Sequence, residues 1–414
     1  MTAASAPPVG AIPLETARQL LAARMTPVTA AMTQPAEASL GRVAAEDIFS
    51  TIDLPRTHNA AVDGYGVLAK TLDDAPATAF NIVGVARAGH PYAGVISAGE
   101  AIEIYTGAIM PSGPDCVAMH EDCQRNGDQV VINKSLKPGS NMRPPGENLA
   151  KGEAVITKGQ RITAALIGQI AAAGHKDIAV QQALSVAVLS TGDEVIEAGN
   201  RLADGQIFDT NRPMLRALLA DPMLDVSDRG IVPDKLEALT AAYEEALATH
   251  DVVISSGGAS DGIEDHTQAA MQAVGADCAF WRLAMKPGRP MAVGQRGQKF
   301  IFCLPGNPVA AFVCTKLLIL PLLTVLAGGI MVAPLKFSLS AGFSHKKAAG
   351  RAEYLRAIIA DGAEGQEIQL HGRKGAGVIS SLTGADGLVE IPLDNAGVTP
   401  GMRLNFLPFA DRSL

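Results

Sequence analysis

The chain has 414 residues, 48% of them hydrophobic and 18% charged, and a formal net charge of −8. That length predicts roughly two to four domains with real cores, which excludes wholesale disorder. The acidic balance excludes a global basic field that would draw in nucleic acid and leaves anion binding to local pockets.

The five cysteines (Cys116, Cys123, Cys278, Cys303 and Cys314) form no CxxC pair, and the eight histidines form no HExxH pattern. This argues against a disulfide framework, a structural zinc site and a zinc hydrolase, and for a reducing cytoplasm. The N-terminus lacks a basic region followed by an apolar run, so no secretory signal is read there. The most apolar stretch, 309–330, is interrupted by Lys316 and Pro321. It is read as core helix kinked at Pro321, and no membrane span is expected.

In chain order, residues 13–25 place Leu14, Ala17, Leu20, Leu21 and Met25 at the spacing of an amphipathic helix. Residues 40–49 add a shorter apolar face. The loop 54–66 carries Asp63 between Val62 and Gly64, either in an ordinary Asx turn or as a site carboxylate. Short apolar runs at 81–86, 101–106, 116–119 and 130–132, separated by Gly- and Pro-rich turns, predict a small β domain. Residues 141–148 lead out of it, and 163–174 reads as a helix ending at Gly174. If that helix packs with the N-terminal one, the β domain (51–140) is an insertion into a discontinuous helical and extended unit (1–50 and 141–182).

From 183 to 330 strands alternate with helices. The predicted strands are 185–190, 225–232, 252–255, 280–285 and 300–304. The predicted helices are 211–219, 234–248, one after Asp265, and a long apolar one from Pro308. Such alternation implies a mostly parallel sheet covered on both faces. After a proline-bearing break at 331–334, the segment 334–414 returns to short strands (336–340, 354–360, 388–391, 401–407) and reads as a second small β domain.

Ligands in an open α/β sheet bind beyond the carboxyl ends of the strands. Four such ends carry chemically loaded loops: 191–194, 256–258, 286–290 and 305–308. They supply the acids Asp193 and Glu194, the cations Lys286 and Arg289 with Arg282 just upstream, and glycine N–H groups. The combination suits a ligand bearing phosphate or another oxyanion. The acids then call for a divalent metal or a protonatable group beside that ligand. Each loop also has a structural reading: a tight turn at Gly257 and Gly258, a helix cap at Asp193 and Glu194, a solvated surface pair, or a helix start at Pro308.

Taken together these stretches resemble a known family. Ala-Val-Asp-Gly-Tyr (61–65), Tyr-Thr-Gly-Ala (105–108), Ser-Thr-Gly-Asp-Glu (190–194), Asp-Gly-Gln-Ile-Phe-Asp-Thr-Asn (204–211), Val-Ile-Ser-Ser-Gly-Gly (253–258), Lys-Pro-Gly-Arg-Pro (286–290) and Leu-Pro-Gly-Asn-Pro (304–308) occur in order. They resemble the molybdopterin molybdenumtransferases, the bacterial MoeA type also found as the C-terminal portion of gephyrin. The resemblance implies a multidomain α/β-plus-β fold, with a central molybdopterin-binding α/β domain, an inserted β domain and a C-terminal β-barrel-like domain. It implies a cytoplasmic homodimer with the active site shared between subunits. It further implies insertion of molybdate into adenylylated molybdopterin with release of AMP, Mg2+ as cofactor, and delivery of the substrate by a MogA-like molybdopterin adenylyltransferase.

Carried over residue by residue, the resemblance assigns Asp63, Glu194, Asp265 and Lys286 to catalysis. Thr106, Asp234, Ser256, Gly257, Gly258, Arg282, Arg289, Pro305, Gly306, Asn307 and Arg351 become substrate-binding, and Asp265 and Asp234 metal-binding. Several positions depart from the family pattern. Asn148 stands where many members have Asp, Arg282 and Arg289 where Lys is common, and Ala376 where a serine often sits. The segment 261–265 also carries an extra acid. A non-catalytic molybdopterin-binding scaffold and a nucleotide-phosphate hydrolase on a related α/β domain are the competing readings.

Overall fold

The computed structural model describes residues 11–73, 77, 79–257, 266–363, 365–373 and 375–409. Its centre is the strand Val252–Ser256, all five of whose residues are buried. This strand lies inside a six-stranded sheet ordered Leu224–Val232, Leu184–Thr191, Val252–Ser256, Lys299–Leu304, Pro290–Arg296, Asp277–Arg282. The first four strands are parallel and the last two antiparallel to their neighbours.

The two-residue period of the strands sorts the side chains into two cores. Val186, Val188, Val252, Ile254, Phe300 and Phe302 enter one; Ala187, Leu189, Val253 and Ile301 enter the other. Each fully buried aliphatic or aromatic side chain contributes roughly 1.5–3 kcal/mol, so the near-continuous apolar strands are stable only with helices on both faces. Helices Asn211–Leu218 and Pro308–Cys314 cover the first face, and Leu236–Thr249 and His266–Ala273 the second.

Chain order makes a crevice. From Leu184–Thr191 the chain passes to Leu224–Val232 on one side, then crosses back to Val252–Ser256 on the other. The carboxyl ends at Thr191 and Ser256 therefore flank a topological switch point.

The long apolar helix runs as Pro308–Cys314, a π turn Thr315–Ile319, and Leu320–Leu326. The wider turn precedes Pro321, which lacks a donor for the helical ladder, so the expected irregularity takes the form of a π turn. Residues Pro308–Leu326 are apolar and long enough to cross a bilayer, but 72% of their most apolar 18-residue window is buried inside the fold, as a core helix requires.

The N-terminal helix forms over Leu14–Ala22, and Leu14, Ala17 and Leu21 enter the large α/β core beside Leu320–Leu326. The expected partnership with the helix Ala164–Ala172 is carried by strands instead. Ala31–Pro35 pairs with Asp177–Gln181, and Ile48–Phe49 pairs with Ala154–Ile156. These ladders join chain before and after the β domain around a core of Ile48, Ile156, Ile162, Ile170 and Val180. The shorter apolar face at 40–49 takes the form of short bridges and a strand.

Between those ladders lies a mixed six-stranded sheet built from Gly64–Val67, Ala79–Ala86, Glu100–Ile104, Cys116–Met119, Cys123–Asn126 and Gln129–Ile132. At the far end of the chain, five strands close into a barrel: Phe337–Ala341, Ala352–Gly362, Gly365–Leu370, Gly387–Ile391 and Arg403–Pro408. The single strand expected near 280–285 is two. Asp277–Arg282 stays in the central sheet, and Met285–Lys286 pairs in parallel with Ala352–Glu353 of the barrel.

Candidate active site

A cleft of about 990 Å³ opens at the switch point, walled on the far side by the barrel. Its floor is made of loops that approach too closely for side chains. Gly257 has φ +112°, and a Cβ there would lie 2.3 Å from the Thr191 carbonyl oxygen. Only glycine fits that junction. Asn211, at the start of its helix, donates through Nδ2 to Ser256 Oγ at 2.6 Å and to the Gly306 carbonyl at 2.7 Å. A carbonyl is an obligate acceptor, so the amide orientation is fixed, and three loops are tied at one point.

Beneath Asn211 lies an ionic cluster. Arg212, 6% exposed, donates from Nε to Asp209 Oδ2 at 2.9 Å and from Nη1 to Asp228 Oδ1 at 2.6 Å, and it also pairs with Glu197. Asp209 Oδ1 accepts from Ser190 Oγ at 3.0 Å. Burial alone would lower the Arg212 pKa, but hydrogen bonds to Glu197, Asp228 and Asp209 hold it above its usual value. The cluster pins the 194–211 loop, which carries Glu194, against the strand Leu224–Val232.

Of the residues singled out in the sequence, Glu194, Asp234, Ser256, Gly257, Lys286, Arg289, Pro305, Gly306 and Asn307 line this one cleft. Asp193 caps no helix; its Oδ1 accepts from the Asp234 backbone N–H at 3.1 Å. Lys286 reaches Glu353 Oε1 at 3.3 Å, and Glu353 Oε2 meets His345 Nε2 at 2.7 Å. Gly258 and Asp265 lie outside the described residues. Arg282 is exposed and absent from the lining, and so is Arg351.

The barrel's lining arginine is Arg356, 6% exposed. It donates to Ser381 Oγ at 2.8 Å and to the carbonyls of Arg373 and Gly375 at 3.1 and 3.4 Å. Among the described residues no carboxylate pairs with it, and burial lowers its pKa. Its sequence signal was a cation inside the apolar strand 354–360. Ala376 also lines the cleft, and its carbonyl accepts from the Val309 N–H at 3.0 Å.

Asp63 and Thr106 belong to a different region. Asp63 Oδ1 accepts from the Thr106 backbone N–H and from Thr106 Oγ1, both at 2.7 Å. These bonds hold the exposed carboxyl below its usual pKa. Gly64 beside it is obligatory, since a Cβ would lie 1.8 Å from the Ala118 carbonyl oxygen. Thr106 lines a second cleft of about 690 Å³, together with Arg143, Glu147 and Asn148.

Among the described residues no three His, Cys, Asp or Glu side chains cluster as a metal cage. A magnesium ion is usually held by one or two carboxylates plus substrate phosphates, and Glu194 and Asp234 on the cleft wall fit that pattern.

Fold and cleft together define a doubly wound α/β protein with a cleft at its switch point, the place where such folds bind ligands, and a barrel forming the opposite wall. Comparison with known proteins narrows the class. The chain matches the MoeA N-terminal region (domain I and II) over residues 12–174, a probable molybdopterin binding domain over 187–325, and the MoeA C-terminal region (domain IV) over 338–409. It is 35% identical to a molybdopterin molybdenumtransferase of Haemophilus influenzae, covering 89% of this chain and 91% of the relative. It is 31% identical to one of Staphylococcus aureus, covering 91% of each. A molybdopterin biosynthesis moeA protein from Pyrococcus horikoshii OT3 superposes with a TM-score of 0.83 at 26% identity, over 97% of this chain and all of the other. The chain belongs to the molybdopterin molybdenumtransferase (MoeA) family.

Proposed function

We infer that this enzyme of molybdenum cofactor biosynthesis takes adenylylated molybdopterin and molybdate and yields molybdenum cofactor and AMP. The observation that carries the reading is the convergence of Lys286, Arg289 and Arg356 with the glycine-lined strand ends on one cleft. A phosphate-linked nucleotide and a tetrahedral dianion both need cations and backbone donors held in place before they arrive. Arg356, buried with no carboxylate partner among the described residues, is preorganised for such a charge. The chain's own residues bind and orient the two anions, and positioning with electrostatic stabilisation does most of the catalytic work.

Magnesium fits at Glu194 and Asp234, with Asp265 assigned by the family resemblance. When bound it would neutralise phosphate charge. We further propose that the site is completed in a homodimer. Asp63, held ionised by Thr106, would face the large cleft of the partner subunit from a region that lines a separate cleft within its own chain. A MogA-like adenylyltransferase would supply the substrate. The five free cysteines accord with a reducing cytoplasm. The scaffold reading is not favoured, because both acidic and cationic cleft residues are retained.

The test is AMP release from adenylylated molybdopterin with and without molybdate and magnesium. Release that depends on molybdate supports the transferase; binding without release would restore the scaffold. Mixing Asp63→Ala and Lys286→Ala proteins tests the shared site, since recovery of activity on subunit exchange requires that each site draws on two chains.

A further inference from the structure

Lys286 does not stand alone on the cleft wall. It lies in the two-residue strand Met285–Lys286, whose parallel ladder makes Lys286 the register partner of Glu353 in the barrel. Partners in a parallel pair project to the same side, and Lys286 Nζ lies 3.3 Å from Glu353 Oε1. The Glu353 side chain is 10% exposed, whereas that of Lys286 is 58% exposed. The buried member is therefore the fixed one and the lysine the mobile one. The second carboxylate oxygen is held in turn, since His345 Nε2 lies 2.7 Å from Glu353 Oε2. Burial would raise the Glu353 pKa, yet the hydrogen bond to His345 and the charge of Lys286 keep it below the ordinary value. An ionised carboxylate only accepts, so Nε2 of His345 carries the hydrogen.

Resting on the transferase reading, we propose that Glu353, oriented by His345, is a positioning residue that aims Lys286 into the cleft, so that the barrel sets the geometry of a cation contributed by the α/β domain. Glu353 touches no reacting atom; it acts through the lysine. A long lysine stem without such a partner samples many rotamers, and misplacement by about 1 Å is enough to lower turnover strongly.

The experiment is a double-mutant cycle on Glu353→Gln and Lys286→Met, read by AMP release and, independently of turnover, by calorimetric binding of AMP. Glu353→Gln keeps the shape and removes the charge. We expect it to lower kcat about tenfold in the Lys286 protein and to have no further effect once Lys286 is Met; binding of AMP should follow the same non-additive pattern. His345→Gln should show a smaller loss with the same dependence on Lys286. Multiplying effects in the two backgrounds, or a Glu353→Gln protein with wild-type kcat, would overturn the proposal. Thermal melting of each variant separates loss of fold from loss of aim. If the wild type itself releases no AMP, the transferase reading fails, while the AMP-binding cycle still decides the role of Glu353.

Discussion

The two clefts differ in how their functional groups are held. At the large cleft several groups are tied from behind: Asn211 joins three loops, Arg212 beneath it sits among Glu197, Asp209 and Asp228, and Arg356 is gripped by carbonyls of its own domain. Beside the small cleft, which Thr106 lines, the exposed Asp63 carboxylate accepts both of its hydrogen bonds from that one residue. The first arrangement makes a rigid receptor for charge. The second presents a single ionised carboxylate at a surface, where another surface can meet it.

The largest expected effect lies on the exposed side. Asp63→Ala should lower AMP release by roughly 10²–10³-fold, the usual scale for losing one essential polar group. It should leave thermal stability within about 0.5 kcal/mol, as befits an exposed position. A fully active variant would remove Asp63 from the site. On the tied side, Arg212→Met should do the opposite and act through stability. It leaves carboxylates without their cation, and unfolding in urea should report a loss of about 2–3 kcal/mol. That sits below the figure for fully buried pairs because Glu197 and Asp228 are partly in water.

Arg356→Gln should weaken AMP binding about tenfold, the effect of one charge-assisted contact, and titration calorimetry checks it. The smallest effect is one of pH. The Glu353 pKa is lowered from its ordinary 4.5, so its contribution to stability is complete above that value and is lost as pH falls through the folded pKa. Wild type and Glu353→Gln should therefore differ in melting temperature at neutral pH and converge on acidification below 4.5. A difference that persists in acid would contradict the assignment of charge.

The contrast also shows what the chain reveals unaided. The α/β strands and helices were legible because buried parallel strands are near-continuous apolar runs. The loops at their carboxyl ends stood out through glycine, proline and charge. The strand Gly365–Leu370 was not legible, since it reads as polar and buries only Ile368. Pro290–Arg296 was hidden behind its leading proline. The role of Arg212 could have been suspected from Asp209 three residues before it at a helix start. Arg356 could have been suspected as a cation at an inward position of an apolar strand. Asp63 came from family resemblance alone, because a carboxylate before a glycine looks like any turn. The N-terminal helix was found but its partner was not: amphipathic spacing marks a buried face without saying which core receives it.

The ladder between Met285–Lys286 and Ala352–Glu353 has one more consequence. The barrel strand Ala352–Gly362 meets Gly365–Leu370 only from Ala357 onward, so its first residues would otherwise present a bare edge on that side. Unpaired edges invite other chains to add to them. The two-residue strand Met285–Lys286 caps that edge, so a substitution that loosens it should expose a seam for aggregation as it disturbs the wall of the cleft.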